Sequence, residues 1–278
     1  MRRTAALTAF ALIAFAGNSL LARAALGGTA MAPADFTLLR LLAGAAILLP
    51  LSAFLHGPRA AASGAGPIAA LALLVYAAAF SFAYRTLETG AGALILFATV
   101  QATMIFGSML AGRYPTPLQW AGMALALLDL AWFLSPGVGA PDLDGALLMT
   151  LAGIAWGVYS LRPPRSGRPL SATAGNFALA ALIALPILLP ARGGEGYDGT
   201  GVLFALLSGA LASGLGYAVW YAALARLAPL PAAVSQLAVP LLAALAGILF
   251  LGERADPRLL LATPVILAGI ALVAVARR

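Results

Sequence analysis

The sequence has no cysteine, no lysine and one histidine, and few charges of either sign. Without cysteine there is no disulfide, no zinc–thiolate centre and no thiol nucleophile. The lone histidine, His56, stands beside Gly57 and Pro58. It is expected in a loop, since a metal site needs partners that it lacks. Charged residues make up 9% of the chain and hydrophobic ones 63%. Soluble domains carry roughly 25% charged residues, so a chain this apolar cannot dress a water-facing surface. No GxxxxGK(S/T) phosphate loop occurs, which argues against ATP hydrolysis by this chain. No HExxH and no GxSxG occurs either, which leaves a membrane hydrolase little support. Neither a metal nor a cofactor is expected, and nothing in the sequence specifies an oligomeric state.

What the chain does have is ten apolar runs, at about 4–26, 34–55, 66–86, 90–111, 117–135, 143–162, 169–190, 201–226, 230–251 and 257–276. Each is near the ~20 residues that cross a ~30 Å hydrocarbon core. The runs are continuous, without period-two alternation, which predicts helices rather than barrel strands. The fold expected is therefore all-α and integral to the membrane, with the lipid bilayer as its solvent. Breakers punctuate the joints: Gly57-Pro58, Pro115-Thr116-Pro117, Ser135-Pro136-Gly137, Pro163-Pro164 and Gly193-Gly194. The first run, after Arg2 and Arg3, is read as a span rather than a signal peptide, because it exceeds a usual h-region.

A net charge of +7 would suggest a nucleic-acid partner in a soluble protein. Here none is expected, because the arginines sort by topology. With the N-terminus inside, the inner ends hold Arg2, Arg3, Arg59, Arg113, Arg162, Arg165, Arg168, Arg226, Arg277 and Arg278. The outer ends hold Arg85, Arg192, Arg254 and Arg258, with Asp35, Glu88, Asp142, Asp144, Glu195, Asp198, Glu253 and Asp256. Ten arginines against four predict that both termini are cytoplasmic.

The chain also repeats itself. Setting Gly252 on Gly112 and Pro257 on Pro117 aligns Ala223 with Ala83, Leu227 with Leu87 and Ala233 with Ala93. The halves, 1–138 and 139–278, hold five spans each. Since five is odd, the second half must enter the membrane in the opposite sense. Ten transmembrane helices in two inverted five-helix repeats are thus expected, a layout used for alternating access by secondary transporters. A duplicated structural bundle without transport is the bland alternative.

The stretches AAVSQLAVPLLAALAGILFLGE and LLLATPVILAGIALVAVARR resemble the end of an EamA domain, the repeated unit of the drug/metabolite transporter superfamily. AYRTLETGAGALI at 83–95, GNSLLARAAL at 17–26 and LLRLLAGA at 38–45 resemble its earlier helices. The LGE that closes the domain is present at Leu251-Gly252-Glu253, while the first half has Arg113 at the matching place. The resemblance implies export of small metabolites without ATP, with amino acids as the leading class. Drugs, nucleosides and organic cations are alternatives. A lipid flippase or a membrane-embedded enzyme would need a polar lateral groove or clustered acid–base groups.

Polar residues inside the runs are the candidate site. Asp129 lies roughly 18 Å up the fifth run from the inner end, and Arg40 about 9 Å down the second from the outer end, at 1.5 Å per residue. Their depths nearly coincide in a ~30 Å core, which predicts a structural ion pair, with a proton or substrate site as the alternative. Arg23 is expected to snorkel. Pro240 removes a helix hydrogen bond and is the candidate hinge, freeing the Gln236 carbonyl. Tyr76, Gln101, Trp156, Tyr159, Ser235, Gln236 and Asn18 are the candidate substrate contacts, with Asn176 as a further amide. Core packing or helix–helix adhesion is the competing role for each. Trp120, Trp132, Trp220 and Tyr221 read as interfacial belt. Gly209, Ser213 and Gly216 read as close-packing scaffold.

Overall fold

Five helices begin at a proline whose fixed φ suits the first turn: Pro33, Pro67, Pro117, Pro169 and Pro257. In this computed structural model the described residues are 2–112, 114–162, 166–189, 198–227, 232 and 234–275. Arg113, Arg165, Arg192, Glu195, Ala233, Arg277, Arg278, Pro163-Pro164 and Gly193-Gly194 lie outside them. The described residues form ten helices and no strand. They are α1 (Arg2–Gly28), α2 (Pro33–His56), α3 (Pro67–Ala83), α4 (Thr89–Leu110), α5 (Pro117–Leu134), α6 (Leu143–Ser160) and α7 (Pro169–Leu188). Then come α8 (Gly199–Leu224), α9 (Ala238–Leu251) and α10 (Pro257–Val275). Eight are long and apolar enough to cross a membrane; α3, with 17 residues, and α9, with 14, fall short of that length.

Both short helices have local causes. After Ala83 the chain tightens into a turn, with the Arg85 N–H on the Phe82 carbonyl at 3.4 Å and the Thr86 N–H on the Ala83 carbonyl at 3.2 Å. Before Ala238 the Gln236–Leu237 turn interrupts the ninth run. Pro240 therefore sits in the first turn of α9, where a missing N–H is least costly, and not inside a continuous span. The Gln236 carbonyl is not freed, since it accepts from the Val239 N–H at 3.0 Å. The expected hinge is thus a helix start. Side chains cap other ends: Thr116 and Gln119 form a reciprocal capping box on α5, Asp142 caps α6 and Asp198 caps α8.

The outside is greasy and the inside is small. Phe54, Leu128 and Phe250 are exposed, as lipid-facing residues should be. The interior is rich in alanine, and backbones touch where glycines meet, as at Gly122 and Gly269 between α5 and α10.

Packing crosses between the halves. α2 lies on α7 and α5 on α10. The α3–α6 and α4–α6 contacts recur as α8–α1 and α9–α1, five helices on. One helix breaks the pattern: α8 carries a π-helical segment, Ser208–Leu215, where the widened turn presses Gly209 onto the Arg40 carbonyl of α2.

Candidate functional site

A cavity of about 1700 Å³ runs between the halves, walled by α1 to α4 and α6 to α8. Its mouth is formed by Leu55 and His56 of α2, Pro67 of α3, Leu110 of α4, Ser160 to Arg162 after α6, and Arg168 before α7. Its blind end reaches Asn18, Ser19, Tyr76, Phe80 and Ser213.

An aromatic stack forms one wall. Trp156 lies parallel to Tyr159 at 5.0 Å and to Tyr217 at 5.3 Å, and meets Tyr76 tilted at 4.9 Å. Residues 156 and 159 share a face of α6 because they are three apart. Polar contacts tie the rings down. The Tyr159 hydroxyl pairs with Thr173 Oγ1 at 3.1 Å, and Thr173 with the Tyr221 hydroxyl at 2.8 Å. Asn176 joins α7 to the α2–α3 connection by accepting from the Gly66 N–H at 3.0 Å. Deeper, Ser208 donates to Asn18 Oδ1 at 2.6 Å, and Asn18 Nδ2 to the Tyr76 hydroxyl at 3.4 Å. Arg40 donates through Nη2 to the same hydroxyl at 3.1 Å and through Nε to Ser213 Oγ at 3.4 Å.

The structure thus brings Asn18, Tyr76, Gln101, Trp156, Tyr159 and Gln236 onto one cavity. Ser235 is not on its lining and bonds the Ala232 carbonyl instead. The expected Arg40–Asp129 pair does not form. The ion pair among the described residues is Arg23–Glu253. α5 packs on α10 and α4, whereas Arg40 looks from α2 toward α3 and α8. Equal depth fixed their height but not the directions they face. Asp129 Oδ2 is buried without a hydrogen-bond partner. Trp120 and Trp132 are exposed as a belt requires, but Trp220 is buried and Tyr221 lines the cavity. Ser213, read as close-packing scaffold, instead lines the cavity, and sequence reasoning missed Tyr217 and Thr173; hydroxyls on otherwise apolar runs were the available signal.

The opposite end of the bundle is shut. The Glu253 carboxylate accepts the Thr89 N–H at 3.0 Å on each oxygen and the Thr89 hydroxyl at 3.0 Å. It also pairs with Arg23 Nε at 3.4 Å. Arg23 does not simply snorkel: its Nη1 donates to the Tyr84 and Arg85 carbonyls at 3.2 and 2.9 Å. Glu253 therefore caps the start of α4, where unpaired N–H groups favour an anion. Gly252, in the left-handed region at φ +67°, turns the chain so that this side chain folds back, and Gly247 leaves room for it. Around this end Arg258 clasps the Trp132 and Ser135 carbonyls, and Thr86 donates to Asp142 at 2.8 Å.

Comparison with known proteins gives a consistent picture. The EamA-like transporter family matches residues 143–275. An uncharacterized protein of Pseudomonas aeruginosa is 51% identical over 272 residues, 98% of this chain and 94% of that one. The threonine/homoserine exporter RhtA of Escherichia coli is 32% identical over 195 residues, 68% of this chain and 63% of RhtA. RhtA of Salmonella typhimurium is 31% identical over 180 residues, 63% of this chain and 58% of RhtA. One crystal structure, at 21% identity, superposes with a TM-score of 0.69 over 98% of this chain and 99% of its own, a likeness of fold.

Proposed function

We propose, for a chain that belongs to the EamA-like transporter family of multi-pass bacterial inner-membrane proteins, that it exports neutral amino acids and related small metabolites by alternating access. The family membership makes it a membrane transporter rather than an enzyme. The single observation that carries the finer reading is the one-sided cavity: lined by exposed residues at the His56 end and by buried ones at Tyr76 and Asn18, with Glu253 tying the helices together beyond. In this reading the two halves, 1–138 and 139–278, are inverted repeats. The recurrence of packing five helices on supports it. The arginine bias puts the His56 end in the cytoplasm, so an exporter would load substrate from that side.

The lining suits a small molecule with one polar end. Aromatic walls take an apolar side chain, while Asn18, Gln101 and Asn176 offer amides to the polar end. That RhtA exports threonine and homoserine supports the amino-acid class. The cavity volume favours a second reading, since about 1700 Å³ exceeds the ~300–1000 Å³ of ordinary ligand sites. Larger metabolites or drugs, including nucleosides and organic cations, fit that space. Proteoliposomes loaded with a panel of amino acids, nucleosides and organic cations, with and without a pH gradient, test both. Exchange of threonine or homoserine is expected. Movement of nucleosides or organic cations alone would replace the amino-acid reading with the second one.

A further inference from the structure

Arg40 lies seven residues into α2, roughly 10 Å along it at 1.5 Å per residue. Its side chain is 1% exposed, in a helix long enough to cross the bilayer. A guanidinium keeps its charge in proteins, so it cannot escape burial by losing a proton. Yet its hydrogen-bond partners among the described residues are neutral: the Tyr76 hydroxyl and Ser213 Oγ. Its flat faces meet rings, with Cζ 4.7 Å from the Phe80 centroid and 5.2 Å from that of Tyr76. Nη1 is buried with no hydrogen-bond partner. Among the described residues no carboxylate pairs with it, the ion pair there being Arg23–Glu253. A lone cation at this depth is costly and calls for an anion in some state of the protein.

The surroundings say where that anion comes from. Tyr76, Phe80 and Ser213 all touch Arg40, and all three line the blind end of the cavity. The guanidinium therefore stands one side chain behind that end. The Tyr76 hydroxyl is shared as a neutral acceptor between Arg40 at 3.1 Å and Asn18 at 3.4 Å, and a carboxylate would offer both donors a stronger, charged one. We propose that Arg40 is the subsite for the carboxylate of the transported molecule. A carboxylate entering beside Tyr76 accepts from Nη1 and Nη2 in the two-pronged geometry that guanidinium favours. Asn18 Nδ2 is placed to donate to it as well. One cation at the blind end selects a single carboxylate. The arginines at the mouth, Arg162 and Arg168, are remote from it along the cavity. This rests on the transport reading for its physiological meaning, and it narrows the substrate class to monocarboxylates, α-amino acids among them.

The test separates the two ideas by measuring binding apart from transport. Thermal stability of the purified full-length protein in detergent is followed against L-threonine and L-threoninamide, and against propionate and propionamide. Each carboxylate should bind at least about tenfold more tightly than its amide, the size of one charge-assisted hydrogen bond. Arg40→Gln should erase that preference and Arg40→Lys should keep part of it. Tyr76→Phe, which leaves the charge in place, should retain it even if Arg40→Gln folds poorly. Amides binding as well as acids to the wild-type protein, no stabilisation by any of the four, or an unchanged preference in Arg40→Gln would each overturn the proposal. Carboxylate binding with no threonine exchange in proteoliposomes would keep this subsite and sink the amino-acid reading.

Discussion

The two ends of the cavity axis are held by different kinds of bond. At the Glu253 end the contacts are charged: Glu253 with Arg23 and the α4 N-terminus, Arg258 with two carbonyls, and Asp142 with Thr86. At the His56 end they are neutral. Ser52 donates to Ser171 at 2.8 Å, Ser171 meets His56 Nδ1 at 3.2 Å, and Ser166 donates to the Ser63 carbonyl at 3.0 Å. Charge-assisted hydrogen bonds are roughly twice as strong as neutral ones. The end with the stronger bonds is the closed one. The turn recurs at the aligned glycines, since Gly112 and Gly252 both hold positive φ, at +76° and +67°. The side chain that follows does not: one half continues with Arg113 and the other with Glu253. Of these two side chains only the carboxylate can accept from a helix start, so aligned positions carry an unmatched lock.

Removing the lock should have the largest effect. The chain has no cysteine, so a single Ala22→Cys, at a fully buried site one residue before Arg23, reports access from the Glu253 side. In a Glu253→Ala background its thiol labelling should rise at least about tenfold, the loss of one charge-assisted hydrogen bond or more. Glu253→Gln should fall between, because its amide oxygen still accepts from Thr89. Equal labelling in all three would mean that the charged contacts do not set which end is closed. Gly247→Ala puts a methyl group against the Glu253 carboxylate and should act in the same direction more weakly.

A smaller effect probes the cavity wall. Trp156→Ala removes the ring between Tyr159 and Tyr217 and should cut threonine exchange severalfold while labelling at Ala22→Cys stays low. A rise in labelling would show that the wall and the lock are one unit. Next, the unfolding effects of Arg40→Ala and Asp129→Ala should add to within about 0.5 kcal/mol, as for independent sites. Coupling beyond that would restore the ion pair that the structure does not contain.

The smallest effect is with pH. Burial, and then the neighbouring Glu253 and Asp256 carboxylates, push Glu88 above the usual carboxylate range. A raised value in the folded state means that acidification first favours the folded, closed end, as Glu88 takes its proton before an ordinary carboxylate does. The Gly145 N–H and the Thr86 hydroxyl hold Asp142 below the usual range. Its contribution is complete at neutral pH and is lost as pH falls through that depressed value. Ala22→Cys labelling should dip slightly on mild acidification, and Glu88→Gln should abolish the dip. A dip that survives Glu88→Gln would assign it elsewhere.

The site was legible where residue type alone marks it. Tyr76, Gln101, Trp156 and Tyr159 stood out as polar and aromatic groups inside apolar runs, and they do share the cavity. Counting rise along the runs paired Arg40 with Asp129 and failed, because height along a helix says nothing about the direction a side chain faces. Ser213 was taken for scaffold and Tyr217 escaped because they lie in and after the π-helical segment of α8, where the residue-to-face relation departs from 3.6 per turn. Arg23 was misread because its acceptors come from the α3–α4 connection and from residue 253, far away in the chain.

Composition and hydropathy by themselves determined an all-helical membrane protein, because a chain with 9% charge and runs of this length has no other way to satisfy its backbone in lipid. Helix starts followed from proline and capping residues, which act within a few positions. The tertiary structure alone decided which end is closed, where α9 begins, and that Arg40 faces Tyr76 and Ser213 rather than Asp129. Those outcomes depend on how each helix is rotated against its neighbours. That rotation is fixed by small residues meeting across the bundle, such as Gly209 on the α2 backbone, and no single run encodes its partner.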